Sequence, residues 1–195
     1  MIDFPTRDFA VMLFDAYRME VEERGATFDQ QSEVIEAVKA LAIAFTGKER
    51  KFGALLQGNV GNGKTTLLRA TQTVIRFINE QMFTTMQPGL TMKDAKELSV
   101  MGSARSEALA AIKDCKMLAI DDLGREPAST KEYGNVISPI IDLIEYRYDR
   151  QLFTIVSTNL TRPQLRDKYG DRVADRLREM MEFIQFKHES YRKQH

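Results

Sequence analysis

Three glycines, a lysine and two threonines crowd one stretch, Gly58-Asn59-Val60-Gly61-Asn62-Gly63-Lys64-Thr65-Thr66, and their spacing fits G-x-x-x-x-G-K-[ST] without a gap. Such residues can hold phosphate. Glycines let consecutive backbone N–H groups curl around a β-phosphate, and a helix starting at the lysine adds the positive end of its dipole. Lys64 would reach the β- and γ-phosphates of a nucleotide, and Thr65 would ligate magnesium through its hydroxyl. The alternative is an ordinary glycine-rich turn, and the context weighs against it: an apolar run, "FGALLQ", leads in, and a helix whose inward face is Leu67, Thr71, Val74, Ile75 and Ile78 leads out.

A magnesium nucleotide site also needs a carboxylate on a neighbouring strand. "KMLAIDDLG" offers one, because Met117 to Ile120 form an apolar run that delivers Asp121 to a strand's carboxyl end, where open α/β sheets bind ligands. Asp121 would hold the ion. Asp122 stands where a general base could polarise an attacking water. A third polar strand end, "FTIVSTN", places Thr158 and Asn159 beside the γ-phosphate, where the Asn159 amide could orient water or, more plainly, cap the helix that follows.

The elements that must position these groups alternate along the chain. From Lys51 onward the strands "FGALLQG", "TTMQPGLTM", "KMLAID", "LFTIVSTN" and "EFIQFK" are separated by helical stretches, one from Lys64 to about Gln81, two short ones, one ending near Arg150, and one through "TRPQLRDKYGDRVADRLREM". This pattern predicts a mainly parallel five-stranded sheet with helices on both faces. Residues 1–50 read differently. Phe9, Met12, Leu13 and Ala16, then Val34, Val38, Leu41, Ala42 and Phe45, recur at helical spacing around the turn-like "ERGATFDQQ", giving two helices and no chemical motif.

Composition narrows the function. The chain has 195 residues, 43% hydrophobic and 29% charged, enough to bury about 70% of its unfolded surface. Twenty-eight basic and twenty-eight acidic residues cancel, which excludes nucleic-acid coating by bulk charge and confines any DNA contact to a patch. One cysteine, Cys115, allows neither an internal disulfide nor a multi-cysteine zinc site, and reads as an inert buried thiol. The start "MIDFPTRDF" lacks the features of a signal peptide, and no apolar run reaches the length of a membrane span, so a cytoplasmic location is expected. "DDLG" matches the D-x-x-G of GTPases, but no N-K-x-D follows for guanine selection, and a small-molecule kinase would need an arginine-bearing lid.

The succession "GNVGNGKTT", "LAIDDLG", "IVSTN", "YGDRVADRLREM" and "SYRK" resembles the AAA+ ATPases of the DnaC and DnaI helicase-loader type, with the IstB transposition ATPases closely related. The resemblance covers about residues 50 to 195. It implies an α/β P-loop NTPase (AAA+) domain, a three-layer sandwich over 51–195 without a C-terminal lid domain, preceded by a helical segment over 1–50 able to dock a partner. It implies magnesium ATP as cofactor, held by residues 58–66, and slow hydrolysis that depends on assembly or DNA, the alternative being a nucleotide-gated adaptor with little turnover. In that family G-x-R-x-x-x-R carries an arginine finger that acts on a neighbouring subunit's nucleotide. Arg176 is the finger by position, with Arg172 one turn earlier, and Arg192 falls where a second sensor arginine is placed. The implied partners are a replicative helicase or a transposase, single-stranded DNA, and further copies of the chain in an ATP-bound homo-oligomer. Lys93, Lys96 and Arg105 are the candidate DNA contacts.

Overall fold

A computed structural model describes residues 4–28, 32–47, 51–82, 89–101, 107–127, 130–132 and 135–186. In chain order the elements are α1 (Thr6–Glu22), α2 (Ser32–Thr46), β1 (Gly53–Gly58), α3 (Lys64–Met82), β2 (Leu90–Asp94), α4 (Ala95–Val100), α5 (Glu107–Asp114), β3 (Met117–Leu123), β4 (Thr130–Glu132), β5 (Asn135–Ile137), α6 (Pro139–Asp149), β6 (Phe153–Thr158), α7 (Arg162–Met180) and β7 (Glu182–Phe186). Five strands form one sheet in the order β2-β3-β6-β1-β7, and every neighbouring pair is parallel. The expected α/β sandwich is therefore present. Because the strands are parallel, β1, β3 and β6 all end on one edge of the sheet, which brings Gly58, Asp121 and Asn159 together.

Strand residues alternate between two cores. Ala54, Leu56, Ala119, Phe153, Ile155 and Ile184 face α1, α2 and α3. Leu55, Leu118, Ile120 and Val156 face α4, α5, α6 and α7. All six residues of β6 are buried, as a central strand covered on both faces requires. The predicted inward face of α3 is buried throughout. Helix α7 begins with a capping box, in which Thr161 and Gln164 bond each other's backbone, and breaks at Gly170, whose φ of 83° and ψ of 164° interrupt the ladder.

Two features depart from the expectation. A two-stranded antiparallel hairpin, β4 with β5, intervenes before α6, and strands of three residues carry too little periodicity to be read from sequence. Cys115 is half-buried rather than fully buried, its Sγ 3.7 Å from the Arg147 guanidinium.

Helices α1 and α2 fold into the sandwich. Phe9, Leu13 and Tyr17 of α1 and Val38, Leu41 and Phe45 of α2 belong to the same core as Leu56, Leu67 and Phe153. The Phe45 ring lies 5.4 Å from Phe9 and 4.6 Å from Phe153, so it bridges the N-terminal helices to the sheet. Phe45→Ala is expected to cost about 3 to 5 kcal/mol. Chemical denaturation should show one cooperative transition moved to lower denaturant, while a separate early transition for α1 and α2 would contradict the shared core.

Candidate functional site

The loop from Gly58 to Gly63 is shaped by close approaches that leave no room for a side chain at its first and last glycines. A Cβ on Gly58 would meet the Asn62 amide nitrogen at 2.3 Å and the Phe186 carbonyl at 2.5 Å. At Gly63, where φ is +92°, it would meet the Tyr17 hydroxyl at 2.1 Å. Asn62 is fully buried and donates to the Phe186 carbonyl, which ties the loop to β7.

Lys64 is 5% exposed and its ammonium sits among four oxygens: the Gly58 carbonyl at 2.9 Å, the Asn59 carbonyl at 2.8 Å, Asn62 Oδ1 at 3.0 Å and Asn159 Oδ1 at 2.8 Å. Burial pulls its pKa down to about 8, against the opposing pull of the Asp122 and Asp121 carboxylates. Three protons serve four acceptors, so an incoming phosphate oxygen can replace one without stranding the charge.

On α3's first turn, the Thr65 hydroxyl donates to Asp121 Oδ1 at 3.0 Å. A hydroxyl and a carboxylate oxygen side by side suit magnesium, which takes one or two protein ligands and completes its shell with phosphate and water. Asp121 also accepts from Ser157 Oγ at 2.5 Å, and the same Ser157 oxygen accepts from the Asp122 amide at 2.8 Å. The pairing of β3 with β6 slips between Ile120 and Leu123, and Asp122 adopts a φ of 56°. The extra residue of this bulge turns Asp122 out of the ladder and toward the cleft. Its carboxylate meets Arg125 Nη1 at 2.5 Å.

Asn159 points into the site, and the helix cap is made by Thr161 instead. Lys64, Thr65, Asp122 and Asn159 line one cleft of about 820 Å3, and Asp121 stands behind Thr65, bonded to its hydroxyl. The sequence reading missed two contributions. Ser157 lies two residues before Asn159 and so on the same face of β6, a signal that strand alternation carries. The second was hidden, because Tyr17, Val21, Arg24 and Phe28 from α1 and the turn after it form the opposite wall, and Arg24 Nη1 reaches Thr66 Oγ1 at 3.3 Å.

Known proteins match this architecture. The family model for IstB-like ATP binding proteins covers residues 17–195, which takes in the phosphate loop, both aspartates and α7. The chain belongs to this IstB-like ATP-binding family. Among solved structures, DnaI is 22% identical with a TM-score of 0.64, over 90% of this chain and 92% of its own. The DnaC helicase loader is 21% identical with a TM-score of 0.61, over 82% and 93%. AMPPCP-bound DnaA from Aquifex aeolicus is 17% identical with a TM-score of 0.58, over 82% and 48%. At these identities they establish a shared fold. Among curated proteins no sequence matches. As a member of this family the chain is an ATP-binding protein, and no helix among the described residues is long and apolar enough to cross a membrane.

The arginines lie elsewhere. Arg176, 13% exposed, is held by Glu145 at 2.9 Å and Asp149 at 3.4 Å on α6, with its guanidinium 5.0 Å from the centre of the Tyr148 ring. Arg172 shares Glu145 at 3.0 Å but is 72% exposed. Neither lines the cleft of its own chain. Lys93 pairs with Glu97 and Lys96 is exposed on α4, while Arg105 and Arg192 fall outside the described residues.

The lowered pKa of Lys64 has a measurable consequence. A phosphate needs the ammonium form and raises the pKa on binding, so above about pH 8 association must take up a proton. The Kd for ATP should rise with pH above 8, by up to about tenfold per unit. Calorimetry in buffers of different ionisation enthalpy would register the proton uptake; a Kd flat from about pH 7 to about pH 9.5 would contradict the burial of Lys64. Lys64→Ala should abolish ATP binding outright.

Proposed function

We propose that this protein is a magnesium-dependent ATPase that acts on single-stranded DNA as a loader of a replicative helicase, with hydrolysis completed between neighbouring subunits. The observation that carries the ATPase is the convergence of Lys64, Thr65, Asp122 and Asn159 from three parallel strand ends on one cleft, with Asp121 bonded to Thr65 at its edge. Backbone amides of residues 58–66 and the Lys64 ammonium would bind the phosphates. Thr65 and Asp121 would hold magnesium, which neutralises charge on the phosphate oxygens. Asp122 would accept the proton of the attacking water as its oxygen bonds the γ-phosphorus and the bond to the β–γ bridging oxygen breaks. For that it must part from Arg125, an exposed partner that gives way readily. Asn159, with its carbonyl oxygen on Lys64, can turn its amide nitrogen to that water or to the γ-phosphate.

Since Arg176 stands outside its own cleft, its role would be in trans, on the nucleotide of a neighbour. Helicase loading is supported by the likeness to the DnaC and DnaI folds over most of their length, together with the motif order. The replication initiator DnaA bound to AMPPCP and single-stranded DNA shares the fold as well, which supports the DNA partner. The family match favours a second reading, a transposition ATPase whose client is a transposase. Under either reading residues 1–50 would meet the client, and Lys93 and Lys96 would contact DNA.

Sizing the protein with and without ATP and single-stranded DNA, then adding the helicase or the transposase of the same cell, discriminates the two clients. Asp122→Asn should keep ATP affinity while lowering turnover about 10²- to 10⁴-fold. Arg176→Ala should spare binding and remove DNA-stimulated turnover, and a variant hydrolysing at the parent rate would exclude the finger.

A further inference from the structure

Glu126 is a buried acid that the chemistry above does not use. It is 3% exposed, four residues beyond Asp122, and every strong contact it makes fixes the intervening loop. Its Oε2 accepts from the Gly124 amide at 2.8 Å, and its Oε1 accepts from the Tyr169 hydroxyl and lies 3.6 Å from Lys168 Nζ. Lys168 also donates to the carbonyls of Gly124 at 2.7 Å and Glu126 at 2.5 Å. Burial, and then the hydrogen bond to Glu126, push the Tyr169 phenol well above its ordinary pKa, so it stays a donor at any working pH. Loop 124–126 is thereby bolted to the last turn of α7 before the Gly170 break.

The loop needs such a bolt. Asp122 at φ 56° occupies a left-handed conformation that is strained for a residue with a side chain and persists only where the surroundings over-determine it. Gly124 follows at φ +106°, and a Cβ there would strike the Leu160 side chain at 2.5 Å, one residue from Asn159. A carboxylate this buried, with a lysine and a phenol directed at it, is costly unless fully paired, and here both oxygens are paired. We propose that Glu126, with Lys168 and Tyr169, is a positioning residue for Asp122: the latch holds the bulged backbone in the one conformation that presents the Asp122 carboxylate to the cleft. The inference rests on the ATPase reading above and adds to it a support for the base that makes no contact with the cleft.

The test compares ATP turnover and the affinity for a fluorescent ATP analogue in the full chain, under conditions of DNA and magnesium where the parent protein turns over. Glu126→Ala should lower kcat about tenfold or more while Kd stays within about threefold. Glu126→Gln, which keeps an acceptor oxygen, should recover most of the rate. Tyr169→Phe should lower kcat by a smaller factor and cost nothing further in the Glu126→Ala background, because both changes open the same latch. Should Glu126→Ala fail to fold, Tyr169→Phe and Lys168→Met carry the same comparison. A kcat per folded molecule equal to the parent's, or kcat and affinity falling together in step with thermal stability, would overturn the positioning role. A parent protein that binds ATP yet never hydrolyses it would overturn the ATPase reading, and the positioning role with it.

Discussion

One buried ammonium organises the molecule. Placing Lys64 at 5% exposure is tolerable only if oxygens replace its water, and no single loop supplies them. Two come from the carbonyls of Gly58 and Asn59, one from Asn62 inside the loop, and one from Asn159 at the end of a strand about a hundred residues later. The charge therefore joins β1, α3 and β6 at a single point. A sheet whose strands all run the same way makes that junction possible, since antiparallel neighbours would deliver these polar ends to opposite edges.

The carboxylates follow from the same geometry, with a local irregularity added. In an unbroken ladder Asp121 and Asp122 would face opposite sides of the sheet. The bulge in β3 and the left-handed Asp122 release the second acid from that alternation, and Ser157 bridges the two by donating its hydroxyl to one and accepting the amide of the other. The site thus combines a rigid pair, Thr65 with Asp121, and an acid on a bent segment.

Much of this is legible in the order of residues alone. The phosphate loop, Asp121 and Asn159 announce themselves because each is a polar residue ending an apolar run, and a parallel sheet gathers such endings automatically. Apolar runs and period-3.6 patterns likewise announce the five strands and the face of α3. What the sequence conceals is tertiary. Nothing in "AYRMEVEERGATF" marks Tyr17, Arg24 or Phe28 as the wall of a cleft forty residues downstream, since their spacing is that of any amphipathic helix. Nor does "DRVADRLRE" disclose that Arg176 is clamped between Glu145 and Asp149 while Arg172 stands in solvent. Charge patterns show which residues are polar, and only packing decides which of them are occupied.

The close fit of Tyr17 over Gly63 gives the third glycine of the loop a second reason to be glycine. One requirement comes from the turn, where φ is positive; the other comes from a helix more than forty residues earlier, whose phenol fills the space a methyl group would take. Modularity is lost as a result. A fragment begun at Lys51 would retain every recognisable motif yet expose the faces of α3 and the sheet that α1 and α2 now cover, and its cleft would be open on one side. The stretch without motifs is in this sense part of the wall of the cleft, and the boundary that the eye draws in the sequence is not one along which the molecule can be divided.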